Sequence, residues 1–313
     1  MGGNTPTNVT RFILLGFSDL HLSLQFILFS FLLLTYMLML LGNGLIIVTV
    51  TIDLQLHRPM YFFLRNLSVL EICFSSVIIP KVLENILSKD KSISFMGCAA
   101  QMDIFFTVGV SECVFLGVMA FDRYMAICSP LRYMSVINRK LCFKLTAGSW
   151  MVGSFVSLGQ TSFIFSLPFC SSNYIEHFFC DIPPLLKIAC ADTFNNELSV
   201  FIACIIGAAV PFLLILCSYI KILSSILLIK SVDGRQKAFS TCGSHLVSVF
   251  LFYGTAMFVH LRLHTRPSVS KDRIMELFYC IVIPAINPLI YTLRNRDMKT
   301  ALRKLSLKII NNV

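Results

Sequence analysis

Long apolar runs recur along the whole chain, and no other feature limits its fold as strongly. Leu22 to Ile52, Leu145 to Ile175, Leu198 to Ile220 and Ala238 to Leu261 contain no Asp, Glu, Lys or Arg. Met60 to Ile79, Cys98 to Phe121 and Ile274 to Leu293 are of similar length and carry a few ionisable residues each. About 20 apolar residues in a helix cross ~30 Å of hydrocarbon, so the pattern predicts seven transmembrane helices. A soluble bundle would need a polar stripe on each surface helix, and these runs have none. With 56% hydrophobic and 13% charged residues and a mean hydropathy of +0.79, the chain reads as an all-α membrane protein. One domain is expected: 1–21 outside, 22–293 as the seven-helix bundle, and 294–313 as a cytoplasmic tail with a short amphipathic helix.

Basic residues orient the bundle. With the N-terminus outside, the inner segments hold most of the 26 Lys and Arg: Arg58 and Arg65, the groups from Arg123 to Lys144 and from Lys221 to Lys237, and a dense run from Arg294 to Lys308. Arg262, Arg266, Lys271 and Arg273 oppose the trend in the last outer loop. The net charge of +10 therefore reads as a basic inner face against the lipid bilayer, with no nucleic acid as partner. The first residues lack the pattern of a cleavable signal peptide, so the first span is expected to direct insertion. Asn8-Val9-Thr10 is a glycosylation acceptor on the outer side.

Charges inside a membrane are costly and point to function. Glu71 and Glu112 lie deep in the second and third spans, either as neutral hydrogen-bonded acids or as a sodium and water pocket. Of the twelve cysteines, Cys73, Cys113, Cys204, Cys217 and Cys280 read as small apolar fillers within spans. Cys98, Cys170, Cys180 and Cys190 fall on the oxidising side, where three pairings are open. The stretch HFFCD, His177 to Asp181, offers imidazole, thiol and carboxylate, a candidate copper or zinc site if the thiol is free.

Short blocks then narrow the class. GNGLI (Gly42–Ile46), LHRPMYFFLRNLS (Leu56–Ser68), MAFDRYMAICSPLRY (Met119–Tyr133), KAFSTCGSHL (Lys237–Leu246) and PAINPLIYTLRN (Pro284–Asn295) are spread from the first span to the last. Together they resemble the vertebrate odorant receptors, within the rhodopsin-like G-protein-coupled receptors. Phe121 departs from the usual Tyr, Glu71 stands where most relatives carry Asp, and Met125, Ser129, Arg58, Arg65 and Gly243 also vary.

The resemblance implies the roles. Asp122, Arg123 and Tyr124 form the switch at the inner end of the third helix: Arg123 is held at rest and released when the sixth helix swings out to admit a G protein. Tyr219 and Tyr291 would support the open state, and Lys237 would line the cleft. Apart from the resemblance, Pro288 is expected to break the last helix near its inner end, because its ring removes a donor and clashes with the preceding turn, and Asn287 can bond the freed backbone groups to make a hinge. Disulfides Cys98–Cys180 and Cys170–Cys190 are implied, which would consume the HFFCD thiol. The ligand cavity would take Met102, Phe105, Phe106, Gly109 and Val110, a one-face series that could equally be ordinary packing, with Cys204, Gly207, Tyr253, Ala256, Met257, His260, Leu277, Cys280 and Ile281. Phe105 stands where amine receptors place an anchoring Asp, so the expected ligand is a small, neutral, lipophilic volatile, with Tyr253 and His260 as its hydrogen-bonding groups.

Met298, Leu302, Leu305 and Ile309, interleaved with Arg303, Lys304 and Lys308, predict the basic amphipathic tail helix. No enzyme activity and no cofactor are expected, since the chain has no nucleophile and base pair, phosphate loop or closed metal-ligand set. Expected partners are a volatile odorant and the olfactory stimulatory G protein, with location in the plasma membrane of olfactory cilia. Two rivals are a receptor of the same class for a non-odorant metabolite outside the nose, and a transporter, which the lack of an inverted repeat opposes.

Overall fold

The computed structural model describes residues 9–170, 172–262, 273–274 and 276–311, apart from the side chains of a few helical residues in the last third. Among the described residues, five helical spans are long and apolar enough to cross a membrane: α1 (Leu22–Ile52), α2 (Pro59–Leu87), α3 (Phe95–Cys128), α5 (Arg139–Phe165), and Phe194–Leu227. The last of these is α7 (Phe194–Cys204) and α8 (Val210–Leu227) joined by a π-helical turn, Ile205–Ala209. Helix α9 (Val232–Arg262) and a final segment complete the seven. That segment is a π turn, Phe278–Val282, running into α10 (Ile283–Arg294), and α11 (Arg296–Asn311) follows it. Short helices α4 (Pro130–Val136) and α6 (Ile182–Ile188) lie in connecting loops.

Local chemistry sets the helix starts. Ser94 caps α3 by accepting from Gly97 N at 3.0 Å, and Asn138 caps α5 by accepting from Leu141 N at 2.9 Å. Pro59 and Pro130 occupy opening turns, where a missing N–H costs nothing. On α1 the outward side chains are themselves apolar: Ile27, Leu34 and Leu41 are each more than 60% exposed. Such a face is stable only against lipid, and its hydroxyls comply: Thr35 and Thr51 donate back to Phe31 O and Ile47 O within their own helix.

A small sheet closes the end of the bundle expected to lie outside, hence the outer end, where no strand was expected. Strand β1 (Arg11–Leu14) lies between β2 (Ser92–Ser94), antiparallel to it, and β3 (Tyr174–Ile175), parallel to it. Alternation explains the register, because Phe12 and Leu14 are fully buried while Arg11 faces out. Phe12 packs edge-on to Phe169 in an outer core that includes Cys98, Met102 and Ile188. The fourth apolar run consequently stops short of its expected limit. Helix α5 ends at Phe165, three residues before Pro168, and the apolar residues beyond it, Phe169 and Ile175, are buried under the outer loop instead of in lipid. The third helix overshoots in the other direction, running through Asp122 and Arg123 to Cys128.

A second correction concerns Pro288, which does not break its helix: α10 continues through it. Proline at 288 cannot donate to Pro284 O, and Asn43 Nδ2 on α1 donates to that carbonyl instead, at 3.2 Å. Pro284 likewise frees Cys280 O, which accepts from Ser75 Oγ on α2 at 3.0 Å. The irregularity sits about two turns earlier than expected, in the π turn at Phe278–Val282. Gly42 permits the close approach, since a Cβ there would stand 3.1 Å from Pro288 Cβ.

Candidate functional site

Among the described residues, two polar assemblies and a cavity between the outer halves of the helices lie along the path expected for signalling. At the inner end, Arg123 and Asp122 are buried, 4% and 1% exposed, with Arg123 Nη1 3.4 Å from Asp122 Oδ2. The second carboxylate oxygen accepts from Tyr133 Oη on α4 at 2.8 Å. Burial and the Asp122 carboxylate push the Tyr133 phenol well above its ordinary pKa, so it stays a donor. Arg123 Nε has no hydrogen-bond partner among the described residues, so a charge always present is held by one long contact. Tyr124 beside it is half-buried.

Tyr219 on α8 reaches across to α9, where its hydroxyl lies 2.7 Å from His245 Nδ1. His245 is fully buried, and its Nε2 is 3.2 Å from Leu116 O on α3. This imidazole ties the third, fifth and sixth spans together and was missed in the sequence. Its signal was present within KAFSTCGSHL, as one of the two histidines, with His260, in the sixth apolar run. Tyr291 is buried, 5% exposed.

In the middle, Asn287 Nδ2 donates to Glu71 Oε1 at 2.6 Å and its Oδ1 accepts from Ser248 Oγ at 2.9 Å. Asn287 thus serves Glu71 and not the backbone freed by Pro288. Glu112 is buried in the same layer, 3% exposed.

The cavity, of about 170 Å³, lies between the outer halves of the helices. Of the residues expected there, Phe105, Phe106, Gly109, Val110, Cys204, Gly207, Tyr253 and Cys280 share its wall. Met102 turns away into the outer core with Cys98, while Leu277 and Ile281 are buried between helices. The side chains of Ala256, Met257, His260 and Lys237 lie outside the described residues, as does Asn8. Phe74, Phe252, Tyr279, Ser157, Gln160 and Glu276 complete the helical wall, and Phe179, Asp181 and Ile182 form a lid from the second outer loop. Disulfides Cys98–Cys180 and Cys170–Cys190 tether that loop.

The wall is mainly aromatic: Phe105 packs on Phe74 at 4.9 Å and on Phe179 at 5.0 Å. Its polar groups are mostly engaged. Tyr253 Oη donates to Cys113 O at 3.1 Å, and Ser157 Oγ donates to Asp103 O at 2.6 Å. Glu276 was legible only as the ionisable residue of the seventh run. Its Oε2 stands 2.6 Å from His177 Nε2, although the angles fall short of a hydrogen bond. His177 stacks on Phe178 at 4.5 Å, and Cys180 beyond it is taken by its disulfide. Among the described residues, no three His, Cys, Asp or Glu side chains cluster closely enough to hold a metal.

Comparison with known proteins agrees with this architecture. Residues 32–308 match a family model described as olfactory receptor. Human olfactory receptor 10AG1 is 48% identical over 96% of this chain and 99% of its own length. Human olfactory receptor 10C1 is also 48% identical, over 99% of both chains. Mouse olfactory receptor 9S13 is 47% identical over 97% of this chain and 91% of its own.

Proposed function

This chain belongs to the olfactory receptor family, and from that premise we propose that it binds a small, mostly apolar volatile in the outer cavity and answers by activating a stimulatory G protein. It is a multi-pass membrane protein and an odorant receptor, not an enzyme. The observation that carries the ligand reading is the cavity itself. Its aromatic wall, disulfide-tethered lid and few free polar groups suit a compact lipophilic molecule with one polar end. Tyr253 and Ser157 already spend their protons on protein carbonyls, so they meet that end as acceptors, alongside the Glu276 side chain.

Ligand binding shifts an existing equilibrium only by as much as it prefers one state. A ligand held between Phe105 and Gly109 on α3, Gly207 before α8, and Tyr253 on α9 touches the elements that Tyr219 and His245 join below. Repacking at the cavity would therefore bias the Tyr219–His245–Leu116 linkage, and with it the hold on Arg123. Released, Arg123 and the inner basic residues would face the C-terminal helix of a G-protein α subunit, raising cyclic AMP. The N-terminus is outside in this reading, and the receptor stands in the plasma membrane of olfactory cilia.

A cyclic AMP reporter screen of a broad volatile panel, in cells supplied with the olfactory stimulatory G protein, tests it. The expected result is a concentration-dependent response to at least one volatile that disappears in Gly207→Leu, whose side chain would collide with Val110 and fill the cavity. A response that survives this filling, or a surface-expressed parent silent to the whole panel, would overturn the cavity assignment.

A further inference from the structure

A second cavity, of about 240 Å³, opens between the inner ends of α1, α2 and α5, and nothing in the odorant response uses it. Four basic side chains reach its wall: His57, Arg58, Arg65 and Arg139, with no carboxylate among the lining residues. Among the described residues none of the three guanidinium groups has an ion pair or a side-chain hydrogen bond. Arg65 is half-buried and lies six residues beyond Pro59, roughly 9 Å along the helix, where a cation facing hydrocarbon needs a counter-charge. Its guanidinium carbon stands 5.6 Å from the centre of the Phe62 ring, which fixes its position without neutralising it.

The rest of the wall is apolar. Phe62 packs edge-on to Phe143 at 5.0 Å, and Phe143 is 61% exposed on the outer surface of the bundle. The cavity therefore has a cationic end near water and an aromatic side open to lipid. We propose that it holds an anionic phospholipid, with the phosphorylated headgroup among Arg58, Arg65 and Arg139 and an acyl chain along Phe62 and Phe143. A free phosphate would match the arginines but would leave the aromatic side unused. The proposal rests on the reading that this end faces the cytoplasmic leaflet, where anionic lipids concentrate. An occupied site would brace α5 against α2 beside the Asp122–Tyr133 contact.

Purified full-length receptor in phosphatidylcholine nanodiscs, titrated with labelled phosphatidylinositol bisphosphate, tests the proposal. Saturable binding is expected, weakened about tenfold or more when Arg58, Arg65 and Arg139 are all changed to Gln. Lys299→Gln with Lys304→Gln on the basic tail helix should weaken it no more than about twofold. Should the triple variant unfold at a lower temperature in neutral lipid, Arg139→Gln alone, at the exposed start of α5, should still weaken binding about threefold. Binding that is unchanged in the arginine variants, or lost only in the tail variant, overturns the proposal. So does water-soluble inositol trisphosphate competing as well as the lipid, which would mark a free-phosphate site. The assay needs neither odorant nor G protein, and an N-terminal epitope stained on intact cells checks the orientation separately.

Discussion

The outer and inner halves of the bundle hold together by different means. Outside, a cavity is walled by phenylalanines and covered by a loop that two disulfides pin down, so its shape comes from packing and covalent tethers. Inside, short polar contacts join specific helices: Tyr133 to Asp122, Tyr219 to His245, His245 to Leu116 O. Packing tolerates change of residue so long as volume is kept, whereas a buried polar contact tolerates almost none. Under the proposed function, this division would keep ligand reading apart from signalling. It also separates the consequences of mutation, which is where the comparison can be broken.

The largest expected effect is on the lid. Cys98→Ser opens a bridge across 82 residues of sequence, and about 4 kcal/mol of stability should go with it. Surface staining should fall to background, whereas Cys170→Ser, across 20 residues, should retain part of it. Gly153→Val comes next: a Cβ there would lie 2.1 Å from Ser111 Oγ and 2.4 Å from Thr107 O, where α5 meets α3. About 3 kcal/mol is expected from this overpacking, read as a lower unfolding temperature of purified receptor, and both halves should suffer because both rest on α3.

Tyr133→Phe sharpens the contrast further. It removes one donor to the Asp122 carboxylate, worth about 2 kcal/mol, without touching the cavity. Basal cyclic AMP should rise several-fold while the odorant concentration dependence moves little. Smallest in stability is Gly109→Ala, whose new methyl would meet Phe74 at an ordinary 3.5 Å. Surface expression should match the parent, and the ranking of ligands by size should shift toward smaller ones. If ligand ranking changed in Tyr133→Phe and not in Gly109→Ala, the division into a reading half and a signalling half would be wrong.

Sequence reasoning reached these halves unequally. Apolar length located the spans, and the first, Leu22–Ile52, has the limits its pattern predicts. It failed where apolar residues serve a loop: Phe169 and Ile175 looked like a continuing span but are buried beneath the outer sheet. Period-two alternation at Phe12 and Leu14 was too short to distinguish a strand from a tail. Pro288 looked like a break because proline removes a donor, and no local pattern announces that Asn43 donates in its place to Pro284 O, 241 residues away. At the cavity, one helix face put Phe105, Phe106, Gly109 and Val110 together, but Met102 continues the same series and faces the outer core. Phe179 and Glu276 reach the cavity through tertiary packing, which no helical spacing encodes.

In the proposed mechanism, ligand is read outside and reported through Arg123 inside. The most direct test compares parent and Arg123→Ala receptors at matched surface staining, measuring odorant binding and cyclic AMP in the same cells. Binding should be retained within about threefold and the cyclic AMP response lost, since a group confined to the inner end contributes little to the outer cavity. A full odorant-dependent cyclic AMP response from Arg123→Ala would contradict it.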